Sequence, residues 1–168
     1  AEGASADVVI IDPAEERTFV PDVEVRLSPD DEFESWVSVL ADAAAQPDTG
    51  GLPWHEEFPR ATYVDAERDA ANAGVRRYAA WLGSFLAGGA GLRFVDHIAQ
   101  FAGAGTAPPY RRRGVQNALL SARLADAAAA GCDLAVIVAQ PGSKSHQNAQ
   151  RRGFDVLYTR AILAKRSV

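Results

Sequence analysis

A basic turn that leads into a helix is the stretch of this sequence best suited to chemistry. Three consecutive arginines, Arg111 to Arg113, precede Gly114. From Val115 onward apolar residues recur at helical spacing. The first N–H groups of a helix lack intrahelical partners and lie at the positive end of the helix dipole. Positive charge, unpaired N–H groups and a residue without a side chain therefore favour an anion site here, most naturally one for phosphate.

Two common phosphate-binding loops do not fit this turn. A nucleoside-triphosphate loop ends in Gly-Lys-Ser or Gly-Lys-Thr, and the turn contains no lysine. A dinucleotide fingerprint needs three glycines in a Gly-x-Gly-x-x-Gly run, and the turn has one. One alternative remains open, since a run of charges is usually a solvated surface turn. A nucleic-acid contact is disfavoured by the net charge of −5.

Bulk properties narrow the class of protein. At 168 residues the chain can bury a real core. The lone cysteine, Cys132, excludes an internal disulfide and is typical of a reducing compartment, so we expect a cytoplasmic protein. No apolar run approaches a membrane span, and no metal-ligand spacing occurs. We therefore expect no membrane partner, no nucleic acid and no metal.

The elements that must position the turn follow from the periodicity of the chain. Pro108 and Pro109 cannot donate ladder hydrogen bonds, so a strand should end just before the turn. Apolar spacing, caps and glycines predict the other elements. In order they are a strand at 23–27, a helix capped by Ser28 and Pro29, a helix from Pro59 to Asn72, strands at 75–82, 85–94 and 98–106, a helix from 115 to about 130, a strand at 134–138, a short helix from 143 to 152 and a strand at 154–164.

This order resembles that of the GNAT N-acetyltransferase superfamily over residues 23–164. The coenzyme loop of that family reads Gln/Arg-x-x-Gly-x-Gly/Ala; Arg111 and Gly114 match it, while Gln116 replaces the second small residue. Gly153-Phe154 matches a second family signature. The resemblance implies an α/β (α+β) class and a GNAT-like acyl-CoA N-acyltransferase fold. Its central mixed, twisted sheet would be flanked by helices on both faces.

The resemblance also implies that acetyl-CoA binds at the turn. Backbone groups at the end of the preceding strand would pair with the pantetheine arm and the acetyl carbonyl like an added strand. Loop amides would hold the pyrophosphate, and the arginines would support it with charge-assisted hydrogen bonds. Ser143 could reach the coenzyme or serve only as a helix cap. The predicted coenzyme contacts are Ala104, Gly105, Thr106, Arg111, Arg112, Arg113, Gly114, Val115, Gln116, Asn117, Ser143 and Asn148.

Transfer to an amine requires a group that takes a proton from it. His55 and Glu56 are candidates because the resemblance places them on the loop that walls the acceptor pocket. The family tyrosine that protonates the leaving thiolate falls at Ala149, so no acid carries over. Tyr158 and Tyr110 are the nearest phenols, although either could be a packed aromatic. The candidate catalytic residues are His55, Glu56 and Tyr158.

Two functions remain in view. The first is an N-acetyltransferase that moves an acetyl group from acetyl-CoA directly to a primary amine of an unidentified small molecule or protein. The second is an acyl-CoA-binding or interaction domain of the same fold without turnover, which Ala149 and Gln116 favour. Because direct transfer with water relays does not require the tyrosine, the enzyme is the preferred interpretation.

The N-terminal region raises a separate expectation. We divide the chain into an N-terminal extension at 1–21, which could be the end of an upstream domain, and a GNAT-like domain at 22–168. The chain begins without Met, so we expect a piece of a longer polypeptide. The family usually adds a strand after Gly-Phe, and this chain stops too soon for one. Val8 to Ile11 reads either as part of a tail or as an edge strand, so this segment, an upstream domain or the second subunit of a homodimer should cover the exposed sheet edge.

Overall fold

The computed structural model describes residues 4–11, 13, 20–48 and 59–162. Within these residues, four helices and two short 3-10 turns, Asp30–Glu32 and Pro108–Tyr110, connect the strands of a single sheet. The strands are β1 Ala4–Ile11, β2 Val23–Leu27, β3 Arg76–Leu82, β4 Phe85–Val95, β5 Ile98–Thr106, β6 Leu134–Ala139 and β7 Asp155–Ile162. The helices are α1 Phe33–Ala45, α2 Arg60–Asn72, α3 Val115–Ala129 and α4 Lys144–Arg151.

The sheet is mixed, as predicted. Its seven strands lie in the order β2-β3-β4-β5-β6-β1-β7. All neighbouring pairs are antiparallel except β5 and β6, which run parallel. Because β5 and β6 are parallel, the chain must cross over between them, and α3 makes that crossover.

Helices cover both faces of the sheet. On one face Trp36 and Leu40 of α1 pack on Ala79, with α2 beside them. On the other face Leu119 of α3 belongs to the larger core cluster, which also contains Tyr78. Adjacent residues of β3 thus point to opposite faces, as strand alternation requires. The predicted α/β class with helices on both faces is confirmed.

The glycines of β4 explain how closely α1 approaches the sheet. A side chain at Gly89 would collide with the indole ring of Trp36. The indole Nε1 donates a hydrogen bond to the carbonyl of Tyr78 at 2.9 Å. Trp36 is almost fully buried, so this donor needs that partner.

Helix α1 begins later than the sequence predicted. Ser28 and Pro29 do not cap it; the 3-10 turn at Asp30–Glu32 intervenes, and α1 starts at Phe33. The Ser28 hydroxyl instead donates to the Glu32 carboxylate at 3.3 Å. Arg26 of β2 forms an ion pair with the same carboxylate, which holds it over the strand rather than over the helix end.

Strand β1 corrects the expectation of an edge strand. Residues 7–11 pair with β6, with Asp7 opposite Ala139, and residues 4–10 pair with β7, with Ala4 opposite Ile162. The segment therefore lies inside the sheet, between β6 and β7, and the edges are β2 and β7. The sheet is not one strand short, because β1 supplies a strand that the C-terminal part of the chain does not.

Candidate functional site

The sheet opens where β5 and β6 part. Their pairing runs from Ile98 opposite Leu134 to Phe101 opposite Ile137. Beyond Phe101, β5 continues to Thr106 along β4 alone, and no pairing with β6 joins the described residues of this segment. The backbone of β5 thus has a free side, which can accept an extended ligand as an added strand. The predicted contacts Ala104, Gly105 and Thr106 lie in this stretch.

A β-bulge lies at the opening. Ala90 of β4 pairs with Ala104, and Gly91 pairs with Ala102, so Gly103 is the extra residue. Its φ of +20° is unusual for a residue with a side chain. Bulges bend a strand and often occur beside active sites. Here the bulge places a residue without a side chain at the wall of the opening.

A cavity of ≈ 110 Å³ fills the opening on the face that carries α3 and α4. It is lined by four elements, two of them strands and two of them helices. The lining residues are Phe101 to Ala104 of β5, Gln116, Leu120 and Arg123 of α3, Ile137 and Val138 of β6, and Ser145, Asn148 and Ala149 of α4. Three predicted contacts therefore share one cavity: Ala104, Gln116 and Asn148.

The basic turn forms a concave backbone path at the start of α3. Arg112 and Gly114 both have positive φ, 62° and 81°. Alternation of ordinary and left-handed residues turns successive N–H groups to one side, which makes an anion cradle. Gly114 is the N-cap of α3, and a Cβ on it would lie 2.6 Å from Cγ1 of Val20. A bulky residue at 114 would therefore strain the local fold, so it cannot test phosphate binding alone.

Arg111 differs from its two neighbours. Its guanidinium turns inward and donates to the carbonyls of Thr106 at 3.4 Å, Ala43 at 3.3 Å and Gln46. The carbonyl of Ala43 belongs to the last turn of α1, whose C=O groups lack helical partners. The Arg111 side chain thus ties the loop to α1 instead of facing an anion. Arg112 and Arg113 are exposed beside the cradle.

The first turn of α3 meets the end of β5 through Gln116. Its Nε2 donates to the Thr106 hydroxyl at 2.9 Å, and its side chain lines the cavity. Gln116, which replaces the second small residue of the family loop, therefore links the cradle to the cavity. Val115 is buried in the core, so only its backbone is available to a ligand, whereas Asn117 is exposed.

On α4 the structure separates the two predicted contacts. The Ser143 hydroxyl accepts a hydrogen bond from the backbone N–H of His146 at 3.2 Å, so it is the helix cap. Ser143 does not line the cavity, whereas Asn148 and the unpredicted Ser145 do. Ala149, at the position of the family tyrosine, is buried against the cavity wall.

Of the three candidate catalytic residues, the structure describes Tyr158 alone. His55 and Glu56 lie outside the described residues. Tyr158 lies on β7 opposite Val8, and β1 separates it from β6. Its side chain is 51% exposed and does not line the cavity. Tyr110 stacks on Phe85, with ring centroids 6.0 Å apart, so its ring has a packing role.

A carboxylate that the sequence analysis missed lies on the other side of the opening. Glu67 of α2 reaches the bulge: a Cβ on Gly103 would lie 3.1 Å from its Oε1. Burial raises the pKa of Glu67, although a hydrogen bond with Tyr63 partly opposes the rise. Burial and the nearby Glu67 also raise the pKa of the Tyr63 hydroxyl. The signal was present, since Tyr63 and Glu67 are four residues apart and share one helix face.

A second missed residue is Arg123 of α3, which is 4% exposed. Its Nε donates to the carbonyl of Leu119 at 3.1 Å, and its Nη1 donates to the carbonyl of Gly91 at 3.0 Å. The guanidinium carbon lies 4.5 Å from the centroid of the Phe101 ring. Burial lowers the pKa of Arg123 to about 9. An arginine among the apolar positions of α3 was the available signal.

Two features are absent from the described residues, a metal-binding group of side chains and a membrane-spanning helix. Across 4–11, 20–48 and 59–162, no group of His, Cys, Asp and Glu side chains is arranged to hold a metal ion. Within the same part of the chain, no helix combines the length and the apolar character that crossing a bilayer requires.

The sheet is mixed and opens beside a parallel strand pair, and a basic cradle lies at the start of the crossover helix. These features together define the class of GNAT-fold acyltransferases. The family model described as "Acetyltransferase (GNAT) family" matches residues 34–154. The chain belongs to this family. The predicted resemblance is thereby confirmed.

Solved structures agree on the fold. An acetyltransferase of the GNAT family from Colwellia psychrerythraea is similar with a TM-score of 0.71 and 12% identity, over 96% of this chain and 56% of the other. A GCN5-related N-acetyltransferase from Sphaerobacter thermophilus has a TM-score of 0.67 and 12% identity, over 93% and 49%. AAC(6')-Iy, solved with the bisubstrate analog CoA-S-monomethyl-acetylneamine, has a TM-score of 0.63 and 17% identity, over 87% and 99%.

These identities are low, so the likeness concerns the fold alone. The chain spans 60%, 63% and 49% of the length of three of the similar structures. No curated protein matches the chain.

Proposed function

We propose that this domain transfers an acetyl group from acetyl-CoA directly to a primary amine of a small molecule or a protein. The observation that carries the proposal is the opening between β5 and β6, which runs from a cavity of ≈ 110 Å³ to the basic cradle. An extended ligand with a phosphorylated end and a small uncharged acyl end matches that sequence of features. The coenzyme part of the bisubstrate analog bound by AAC(6')-Iy is a ligand of this kind.

The coenzyme would lie along β5. Its pyrophosphate would accept hydrogen bonds from the backbone N–H groups of 112–117, at the positive end of α3. Arg112 and Arg113 would add charge-assisted hydrogen bonds to its phosphates. The pantetheine amides would pair with the free side of Ala104 to Thr106. The acyl end would enter the cavity, beside Asn148.

Glu67 is our candidate for the general base. An amine arrives protonated at neutral pH and must lose a proton before it attacks the thioester carbon. The N–C bond then forms and the C–S bond breaks, so the coenzyme leaves as a thiolate. The excess proton that remains on the acylated nitrogen passes through water to this thiolate, which gives the amide and the free thiol. Glu67 lies beside the bulge at Gly103, on the face of the sheet opposite the cavity. It can therefore accept the proton of an amine that approaches the opening from that face. Its raised pKa brings it nearer to the working pH, which suits a base.

Calorimetry with acetyl-CoA tests the coenzyme site, and thiol release across a panel of primary amines tests turnover. We expect micromolar or tighter binding and amine-dependent thiol release. The double variant Arg112→Ala/Arg113→Ala should bind more weakly, whereas Arg160→Ala, an exposed arginine on β7, should bind normally. Absence of coenzyme binding by the unmodified protein would refute the proposal.

Binding without turnover would instead favour the second candidate, an acyl-CoA-binding or interaction domain of the same fold. Ala149 favours it, because the cavity wall has no phenol at this position to protonate the thiolate. The amine panel separates the two functions, since only the enzyme releases thiol in proportion to an added amine.

A further inference from the structure

Arg123 lines the cavity at the end farther from the cradle. The lining residues of α3 are Gln116, Leu120 and Arg123, which share one helix face. At about 1.5 Å per residue, Arg123 lies about 10 Å along the helix from Gln116, away from the cradle. It stacks on Phe101, the last residue of β5 that pairs with β6. A ligand that enters from the cradle would therefore meet Arg123 with its far end.

The charge of Arg123 is buried without a counter-ion. Its two hydrogen bonds go to neutral backbone carbonyls, and none of the carboxylates in the described residues pairs with it. Its Nη2 makes no hydrogen bond to another described residue. A pKa lowered to about 9 still leaves it cationic near neutral pH. Since an unpaired buried cation is costly, an anionic group delivered by a ligand would be bound strongly there.

The rest of the cavity suits a short aliphatic chain. Leu120, Ile137 and Ala102 provide apolar wall between the cradle end and Arg123. The volume of ≈ 110 Å³ is several times the roughly 10–15 Å³ that one water molecule needs. An acetyl group alone would leave the end of the cavity beside Arg123 unfilled and its cation unmatched.

We propose that Arg123 makes this site selective for acyl-CoA donors whose short acyl chain ends in a carboxylate. The terminal carboxylate accepts a hydrogen bond from Nη2, and its methylene groups lie against Leu120 and Ile137. The reaction balance is that of the acetyl transfer, with a dicarboxylic half-amide as the product. This inference rests on the proposed function, because it requires that an acyl-CoA occupies the opening.

Three donors decide the question with the unmodified protein: acetyl-CoA, succinyl-CoA and the methyl ester of succinyl-CoA at its free carboxylate. We expect calorimetry to show succinyl-CoA binding at least tenfold tighter than the methyl ester, which has the same chain but no charge. Equal affinities, or tighter binding of the ester, would overturn the inference while leaving the acyl-CoA site intact. If none of the three binds, the proposed function fails first.

Two variants test whether the preference for the free carboxylate depends on Arg123. Arg123→Met keeps an unbranched chain without the charge and should remove the preference for succinyl-CoA over its ester. Arg93→Met, an exposed arginine of β4, is the matched control and should keep it. A folded Arg123→Met protein that retains the full preference would refute the assignment. If Arg123→Met does not fold, the affinities of the unmodified protein for succinyl-CoA and for its methyl ester still decide whether the inference holds.

Discussion

The general base can be tested by one isosteric substitution, Glu67→Gln. The amide has nearly the same volume as the carboxylate and can still hydrogen-bond to Tyr63, so the packing of α2 should survive. It cannot accept a proton from an ammonium group. If Glu67 is the base, kcat should fall while the affinity for acetyl-CoA stays the same, because Glu67 is not among the residues proposed to hold the coenzyme.

General acid–base catalysis typically contributes about 10²–10⁴-fold to the rate. At about 1.36 kcal/mol per tenfold change, that range corresponds to roughly 3–5 kcal/mol of lost transition-state stabilisation. Two features of the site favour the lower half of the range. Glu67 is partly accessible, so water can replace it, and a small neutral fraction of the amine reacts without a base. We therefore expect a loss of about 10²–10³-fold in kcat.

The dependence of the rate on pH gives an independent test of the role of Glu67. Burial raises the pKa of Glu67 above 4.5, so the carboxylate needed by the reaction forms only above that value. The rate of the unmodified enzyme should rise through the raised pKa, and Glu67→Gln should lose this limb. The contribution of Glu67 to the free energy of unfolding depends on pH in the opposite direction. The folded state binds the Glu67 proton more tightly than the unfolded state, so its contribution is full at low pH and is lost as pH rises through the raised pKa.

Steady-state thiol release from pH 5 to 9, with coenzyme affinity measured in parallel, checks both signs. Asp69→Asn is the matched control, since Asp69 is an exposed carboxylate on the same helix. A Glu67→Gln enzyme with wild-type kcat and an unchanged acid limb would refute the role of Glu67. A fall in kcat shared by Asp69→Asn would indicate a nonspecific effect on α2.

Three further predictions concern the cradle and the sheet. Arg112→Ala and Arg113→Ala should each weaken acetyl-CoA binding by about 1–3 kcal/mol, as a lost charge-assisted hydrogen bond would, and calorimetry would contradict this if both effects were near zero. Arg111→Ala should lower the free energy of unfolding by about 1–3 kcal/mol, because carbonyls at the end of α1 lose their donor; an unchanged denaturant midpoint would exclude that role. Deleting residues 1–12 removes β1 and should lower Tm or cause aggregation, and a variant that stays equally stable and monomeric in light scattering would contradict the pairing of β1.

Local signals predicted most of the elements that position the site. The two prolines at 108 and 109 end β5, and the helical spacing from Val115 locates α3. Each of these signals acts through the backbone of a few neighbouring residues, so it can be read without a structure. The Ser143 cap shows the same point, because its partner is the N–H of His146, three residues away.

The residues that give the opening its chemistry were not predictable in this way. Glu67 and Gly103 are distant in the sequence, and nothing local indicates that one faces the other. Arg123 stands among the apolar positions of α3, but only its bonds to Gly91 and Leu119 show that the guanidinium itself is buried. Tertiary packing decides which face each side chain meets, and the sequence alone does not record it.

The position of β1 had a signal that pointed away from an edge. Val8 to Ile11 is a continuous apolar run, without the alternation expected of a strand with one wet face. Strands covered on both faces have this pattern. The expectation of an edge strand came from the strand that the family adds after Gly-Phe, and a strand that completes a sheet can lie inside it, as β1 does between β6 and β7.

In the proposed reaction, the acyl group and the amine would approach each other from opposite faces of the sheet. Arg123 lines the cavity on the α3 face, whereas Glu67 lies on the α2 face, and Gly103 separates them. An acyl group held from one face and an amine deprotonated on the other can meet only through the gap that the parting of β5 and β6 opens. A side chain at the bulge would narrow that gap and press on the Glu67 carboxylate. In the proposed mechanism the glycine at 103 would therefore serve the passage between the two faces as well as the bend of β5.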